Sequence, residues 1–410
     1  MLFPVLPFHS GFFRGIIGVT DKLSRSSYDN VPSLRILWSA GSFRMRSGGI
    51  FMETNKSKKI ILMTGGGSAG HVTPNVALLP ALRSAGYEIH YIGTADGIEK
   101  KLIAEQKDVI YHEIAAGKLR RYFSLKNLSD PFRVLKGVGQ AKKIIKEVQP
   151  DVVFSKGGFV SVPVVMAAKK KCPVICHESD YTPGIANKIA SRYADTVCVT
   201  FEDTLKYADK NKAVHTGTPI RRELFEGDRQ RGLEFLGFSG DKPIILVMGG
   251  SLGAQALNDG IRAALPALGQ KFDIIHLCGK GKLDETISSP AYRQYEYISA
   301  ELPDLMAATD LVISRSGANA VFEFLALAKP ALFIPLPLEA SRGDQILNAE
   351  YVCKKGYAMM MEQKDVNADT LREKVNELYA RRDEFIEKMK QDKTLDGTNE
   401  VLKVIFAASK

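Results

Sequence analysis

Residues 61–86 read ILMTGGGSAGHVTPNVALLPALRSAG. An apolar run ends in Thr64, three glycines follow, and after His71 the chain takes on helical composition with Pro74 early in it. Proline is tolerated in the first turn of a helix, so the stretch predicts a strand, a tight glycine turn and a helix. A glycine turn at a helix N-terminus exposes backbone N–H groups with no side chain in the way, which suits a phosphate oxygen; a purely structural tight turn fits the same residues. The pattern occurs twice. KKIILMTGGGSAG at 58–70 and KPIILVMGGSLGA at 242–254 share lysine, apolar strand, glycines, serine and helix. One architecture has been used two times.

Working outward, apolar runs alternate with helix-length segments: KKIILMT, YEIHYIG, VIYHEI, DVVFSKGG, CPVICHE and DTVCVT in the first half, then KPIILVMGG, FDIIHLCG, TDLVISRSG and PALFIPLP in the second. This alternation is the mark of parallel sheets covered by helices. The fold class expected is α/β, with two Rossmann-like domains whose parallel sheets face each other across a cleft. The first domain is placed at 58–216 and the second at 242–390. A glycine- and charge-rich linker without an obvious strand spans 217–241, and a C-terminal helix within 391–410 packs back on the first domain. Residues 1–57 read as a leader without sustained periodicity. Met52 is read as the true start, because Gly48 and Gly49 can be encoded as a ribosome-binding sequence just upstream; the rival reading is a disordered leader, and the codons decide.

Composition excludes several classes. A chain of 410 residues can bury more than one core. Its five cysteines, at 172, 176, 198, 278 and 353, form neither a CxxC pair nor an even framework, which fits isolated reduced thiols in the cytosol. The most apolar N-terminal stretch, MLFPVLPFHSGFFRGIIGV, is interrupted by two prolines, a histidine and an arginine, which argues against a membrane span and a secretory signal. The formal net charge of +10 is concentrated: residues 118–146 hold nine Lys/Arg against one Asp. Aromatic and aliphatic residues interleave there, so 118–135 suits the surface of an anionic bilayer, while an amphipathic helix with a solvated basic face suits the same composition. No nucleic-acid-binding module accompanies the charge.

Neither glycine turn is a GxGxxG with a suitably spaced acid, nor a GxxxxGK[ST], which weakens dinucleotide and P-loop readings. His71, beside the first turn, is either a proton acceptor or a ligand contact; the positive end of a helix there lowers its pKa. In the second half, SRSGANAVFEFLALAKPALFIPLP (314–337) and SRGDQILNAEY (341–351) put polar groups at strand-to-helix transitions. Those transitions face the ligand crevice of an open α/β sheet. Glu323 there suits a ribose diol, or is an ordinary surface charge of the helix.

Seven motifs, GGSAGH (66–71), SKGGFVSVP (155–163), HESDYTPGIANK (177–188), GTPIR (217–221), GGSLGA (249–254), SRSGANAVFE (314–323) and DQILNA (344–349), together resemble the family B glycosyltransferases. Within them, the resemblance is to the enzymes of peptidoglycan synthesis that add N-acetylglucosamine to lipid I, in their Gram-positive version, and it covers residues 58–405. It implies a hexosyltransferase that moves the sugar from UDP-N-acetylglucosamine to the 4-hydroxyl of the lipid-linked muramyl sugar with inversion, giving lipid II. It further implies that Ser251 contacts the diphosphate, that Ile298 and Arg221 hold the nucleotide, and that Ala318, Asn319, Ala320, Val321, Phe322 and Glu323 line the donor site with Glu323 on the ribose. Gln345 would read sugar hydroxyls. Ser68, Ala69 and Gly70 would meet the donor beside His71, the implied base, with His177 and Glu178 as weaker candidates. Gly66, Gly67, Gly157 and Gly158 would shape the acceptor side.

Two departures stand out: Ser68-Ala69 where many members carry Thr-Gly, and Asp180 where many carry asparagine, which weakens Asp180 as a donor-sugar contact. With no DxD pair in the chain, no obligatory metal and no cofactor are expected. A peripheral position on the cytoplasmic face of the membrane, against anionic phospholipid through 118–135, is the implied location. Another sugar-nucleotide enzyme on this fold, or a non-catalytic UDP-sugar or membrane-binding protein, are the alternative classes.

Overall fold

The computed structural model describes residues 58–117, 126–250 and 254–409, with side chains of 126–131 also left aside. The leader and start-site readings, the greater part of the basic–apolar segment, and Ser251 therefore lie outside the described residues. Strands β1 (Ile60–Thr64), β2 (Glu88–Gly93), β3 (Val109–Glu113), β4 (Val152–Ser155), β5 (Val174–Glu178), β6 (Thr196–Val199) and β7 (Ala213–His215) form one sheet in the order β3-β2-β1-β4-β5-β6-β7. Strands β8 (Ile244–Met248), β9 (Asp273–Leu277), β10 (Tyr292–Tyr295), β11 (Leu311–Ser314), β12 (Ala331–Phe333) and β13 (Ala358–Met360) form the second, in the order β10-β9-β8-β11-β12-β13. All pairings are parallel.

The interior strands are largely apolar runs because both faces of each sheet are covered. On one face of the first sheet Ile61, Met63, Phe154 and Ile175 share a core with helix residues Leu78 and Leu82. On the other, Leu62, Val153, Val174 and Cys176 pack with Ala141, Val164 and Val165. Successive residues alternate faces, as the two-residue period of a strand requires.

The segment 217–241, read from sequence as a linker, is built into the second domain. Ile220, Leu224, Leu233, Leu236 and Phe238 all belong to the second core, the later ones through helix Arg229–Leu236. Asp228 caps that helix and Gly237 closes it in a left-handed conformation. The chain then returns: helix Thr398–Ala408 buries Val401, Leu402 and Ile405 in the core of the first sheet. At the junction Phe201, from the end of β6, inserts edge-on against Phe322 (5.2 Å) and Tyr351 (5.1 Å) of the second domain.

Strand order reverses between β1 and β4 in the first sheet and between β8 and β11 in the second. Ligands of open α/β sheets bind at the carboxyl ends of strands at such switch points. Among the described residues, loops 65–72, 156–160, 249–250 and 315–317 sit there.

Candidate active site

The first two loops interlock. Gly66 N–H donates to the Gly157 carbonyl (3.3 Å), and Gly67 N–H donates to the buried Glu99 carboxylate (3.1 Å), which also accepts from the Thr94 amide and hydroxyl. Both glycine amides are thus committed within the protein, so this part of the turn is structural and contributes to a ligand site by shape. Gly158 explains why a side chain is excluded. Its φ is +81°, and a Cβ there would lie 2.1 Å from the Gly66 carbonyl oxygen and 3.0 Å from the His71 ring. Gly158→Ala should therefore cut turnover at least tenfold and lower Tm by several degrees, since left-handed backbone and contact strain of roughly 1–3 kcal/mol add. Gly86→Ala is the control: its φ is also +81°, but no atom lies within 4 Å, so only the backbone penalty applies and turnover should hold.

His71 ends the short 3-10 turn Ala69–His71, which follows the exposed Ser68. Its Nδ1 faces the Lys156 carbonyl oxygen at 3.3 Å. A carbonyl only accepts, so Nδ1 carries the proton and Nε2 carries a lone pair. Burial, then the positive charge of Lys156, lowers the His71 pKa to about 4. The ring is a neutral proton acceptor at pH 7. It lines a cavity of about 290 Å³ together with Gly66, Ser68, Gly158, Glu178, Asp180 and Arg342. A larger cavity, about 540 Å³, lies on the first domain and shares Gly67 and Phe159 with it.

The other histidine considered from sequence does not fit a base. His177 is buried, its Nε2 donates to the Gly217 carbonyl (2.9 Å), and its Nδ1 faces the Lys156 ammonium (2.8 Å). Both nitrogens are engaged. Glu178 is likewise committed, accepting from the amides of Asp180 and Gly184 and from Asn187 at 2.8–3.1 Å; burial nonetheless raises its pKa.

Asp180 faces the second domain. Its carboxylate accepts from Asn348 (3.2 Å) and Arg342 (3.3 Å), while the Tyr181 amide donates to Asn348 Oδ1 (3.0 Å). An arginine partner gives the acid at this position a use that an amide would not have. Sequence reading missed Arg342 and Asn348 as its partners, although the quoted stretches around 342 and 348 contain both.

Across the cleft, helix Ala318–Ala326 begins after Gly317 with no side-chain cap among the described residues. Its first amides are left for water or an anion, reinforced by the helix dipole. Asn319 reaches over to donate to the Gly70 carbonyl (2.7 Å) and accepts from Ser179 (3.3 Å). Val321 and Phe322 turn into the core, as does Ile298, so these three side chains support the site from behind. Ala318 is buried and Ala320 half-buried at the helix start.

Glu323 holds Arg221 through two bonds, 2.8 Å to Nε and 3.1 Å to Nη2. These two residues, separately expected on the nucleotide, are partners of one another here. Gln345 spends its carboxamide oxygen on the Leu336 amide (3.0 Å), which leaves the NH2 end for a ligand. Among the described residues no three His, Cys, Asp or Glu side chains converge as a metal site.

Comparison with known proteins gives this geometry a family. The glycosyltransferase family 28 N-terminal domain matches residues 61–199, and the glycosyltransferase family 28 C-terminal domain matches 244–403. A protein of Lachnospira eligens named UDP-N-acetylglucosamine–N-acetylmuramyl-(pentapeptide) pyrophosphoryl-undecaprenol N-acetylglucosamine transferase is 56% identical over 86% of this chain and 100% of its own length. The protein of the same name from Clostridium tetani is 53% identical over 85% of this chain and 98% of its own. The crystal structure of Acinetobacter baumannii MurG superposes with a TM-score of 0.67 at 28% identity, covering 86% of this chain and 100% of that one. A putative UDP-N-acetylglucosamine 2-epimerase from Listeria monocytogenes, at 13% identity and a TM-score of 0.62 over 85% of this chain and 97% of its own, shares the fold alone. Matched in both halves, and more than half identical to full-length relatives, the chain belongs to glycosyltransferase family 28, among its N-acetylglucosamine transferases.

Proposed function

We propose that this chain transfers N-acetylglucosamine from UDP-N-acetylglucosamine to the 4-hydroxyl of the muramyl sugar of lipid I, inverting the anomeric carbon and producing lipid II for the cell wall. The observation that carries the reading is the His71 Nε2 lone pair beside a cavity bounded by both domains, next to the uncapped helix start at Ala318. The acceptor oxygen attacks the anomeric carbon and gives its proton to Nε2. The new C–O bond forms as the bond to the β-phosphate breaks, and UDP departs with the electron pair. Positive charge then develops at the sugar and negative charge on the diphosphate. On this reading the helix start and Arg221 receive the latter, with Ser251 and Gly249–Gly250 as further donors. Glu323 meets the ribose, Gln345 the sugar hydroxyls, and the larger cavity beside Phe159 gives room on the acceptor side.

The acceptor is lipid-linked, so the protein must approach a bilayer. No helix among the described residues is long and apolar enough to cross one. Helix Lys126–Val148 exposes Phe132 (74%) and Leu135 (65%) beside Arg133 and Lys136. Apolar anchors flanked by bases suit insertion among anionic headgroups, each base adding about 1 kcal/mol near such a surface. This supports a peripheral position on the cytoplasmic face of the membrane.

The test is transfer of labelled N-acetylglucosamine from its UDP donor to a lipid I analogue, with chelator present. A β-1,4-linked product is expected at an undiminished rate. Hydrolysis of the donor without transfer would sink this reading in favour of another sugar-nucleotide enzyme.

A further inference from the structure

Among the described residues Lys156 is the one lysine buried from solvent, with none of its surface exposed. Burying an ammonium costs several kcal/mol unless it is well partnered. Yet its ammonium touches two neutral groups, His177 Nδ1 at 2.8 Å and the Ser179 hydroxyl. Glu178 and Asp180 act on it only as nearby charges. Stability alone would favour an apolar residue here, so the contacts themselves need a reason. Followed outward, they close a ring. The Lys156 carbonyl faces His71; its ammonium donates to Ser179; Ser179 donates to Asn319 of the second domain; and Asn319 donates to the carbonyl of Gly70, which precedes His71.

We propose that Lys156 is a positioning residue for sugar transfer: its backbone orients the His71 imidazole, and its ammonium, through Ser179 and Asn319, ties the His71 loop to the donor-side domain. The inference rests on the transfer reaction proposed above and adds a device that couples closure of the two domains to placement of the base. Its charge has a second effect. It lowers the His71 pKa, alongside burial and the Arg342 guanidinium from the second domain, whereas the Glu178 and Asp180 carboxylates face the same cavity. Removing the Lys156 charge raises the His71 pKa, so the acid limb of the rate profile must move to higher pH.

The experiment uses the full chain, UDP-N-acetylglucosamine and a lipid I analogue, with rates measured from about one pH unit below the His71 pKa of about 4 up to neutrality and beyond. Lys156→Met keeps length and packing while deleting charge and donors. We expect kcat to fall about 10–100-fold, the donor KM to change much less, and the acid limb to shift upward. Lys156→Arg should restore part of the rate and most of the limb, because it keeps the charge. Ser179→Ala should lower kcat without moving the limb, and combining it with Lys156→Met should cost little beyond the latter alone. A folded Lys156→Met protein with wild-type kcat and limb, or an arginine variant no better than the methionine one, would overturn the proposal. If Lys156→Met does not fold, Ser179→Ala decides: wild-type kcat there removes the tie to Asn319. An inactive wild-type protein would instead overturn the transfer reading itself.

Discussion

Replacing His71 with alanine lowers kcat for transfer by about 10²–10⁴-fold, the range ascribed to a positioned general base, while UDP binding and donor KM stay within a few-fold. The asymmetry follows from what the ring touches. Its Nδ1 is held by the Lys156 carbonyl, its Nε2 is left unprotonated, and the residues proposed to hold the nucleotide lie on the other domain. His71→Gln keeps a hydrogen-bonding side chain but has no proton affinity in the working range, so it should be as slow as alanine. Their equality would separate the base role from the contact role that sequence left open.

The pH dependence has a definite sign. A base works only when unprotonated, and burial together with the Lys156 charge lowers the His71 pKa from 6.5 to about 4. The acid limb of kcat/KM, which reports the free enzyme, should therefore lie well below pH 6. The same shift makes folding stability pH-dependent. His71 is unprotonated in the folded state over a range where the unfolded chain binds a proton, so its contribution is complete above about pH 6.5 and is lost as pH falls toward 4. Near-wild-type turnover in His71→Ala would remove His71 as the base; a limb at pH 6.5 would remove the buried, charge-poised setting.

How much of this was legible in the sequence depends on what each residue is buried against. Interior strands announced themselves, because a parallel strand covered on both faces has no polar alternation to confuse with a helix surface. The three strands that no quoted run marks are all sheet edges: β7 (AVH), β10 (YRQY) and β13 (AMM) are three or four residues long, and β10 carries arginine and glutamine. An edge strand has one neighbour to satisfy and leaves little compositional trace. The segment 217–241 misled for a related reason: charge and glycine dominate it, whereas Ile220, Leu224, Leu233, Leu236 and Phe238, spaced irregularly, are what the second core holds.

The site was legible in part. Glycine turns and His71 stand out locally because each rests on one short stretch. The Lys156–Ser179–Asn319 ring does not, since its members come from two loops and a helix start separated by 23 and 140 residues. One signal was available: DVVFSK places a lysine directly after an apolar strand, where an ordinary surface lysine has no reason to be. The Arg221–Glu323 pair, 102 residues apart, was likewise invisible as a pair even though both residues had been singled out.

That pair yields the second large effect, in donor recognition. Glu323→Gln should raise the donor KM about 10–100-fold, because hydrogen bonds to a charged group contribute roughly 1.5–3 kcal/mol. Two causes are mixed in this number. One is loss of the proposed ribose contact; the other is loosening of Arg221, whose guanidinium is mostly buried and loses its countercharge and one of its two bonds, because a carboxamide keeps a single acceptor oxygen. A donor lacking the ribose 2′-hydroxyl separates them. Wild-type protein should use it tenfold or more less efficiently than the natural donor, whereas Glu323→Gln should discriminate weakly, since the carboxylate that reads the hydroxyl is gone. If both proteins discriminate equally, Glu323 serves only to hold Arg221, and the KM effect belongs to the arginine. Arg221→Met then completes the cycle. Where Glu323 reads ribose independently, the two substitutions should combine nearly additively in donor KM. Where it acts only through the guanidinium, the double variant should be no worse than Arg221→Met alone.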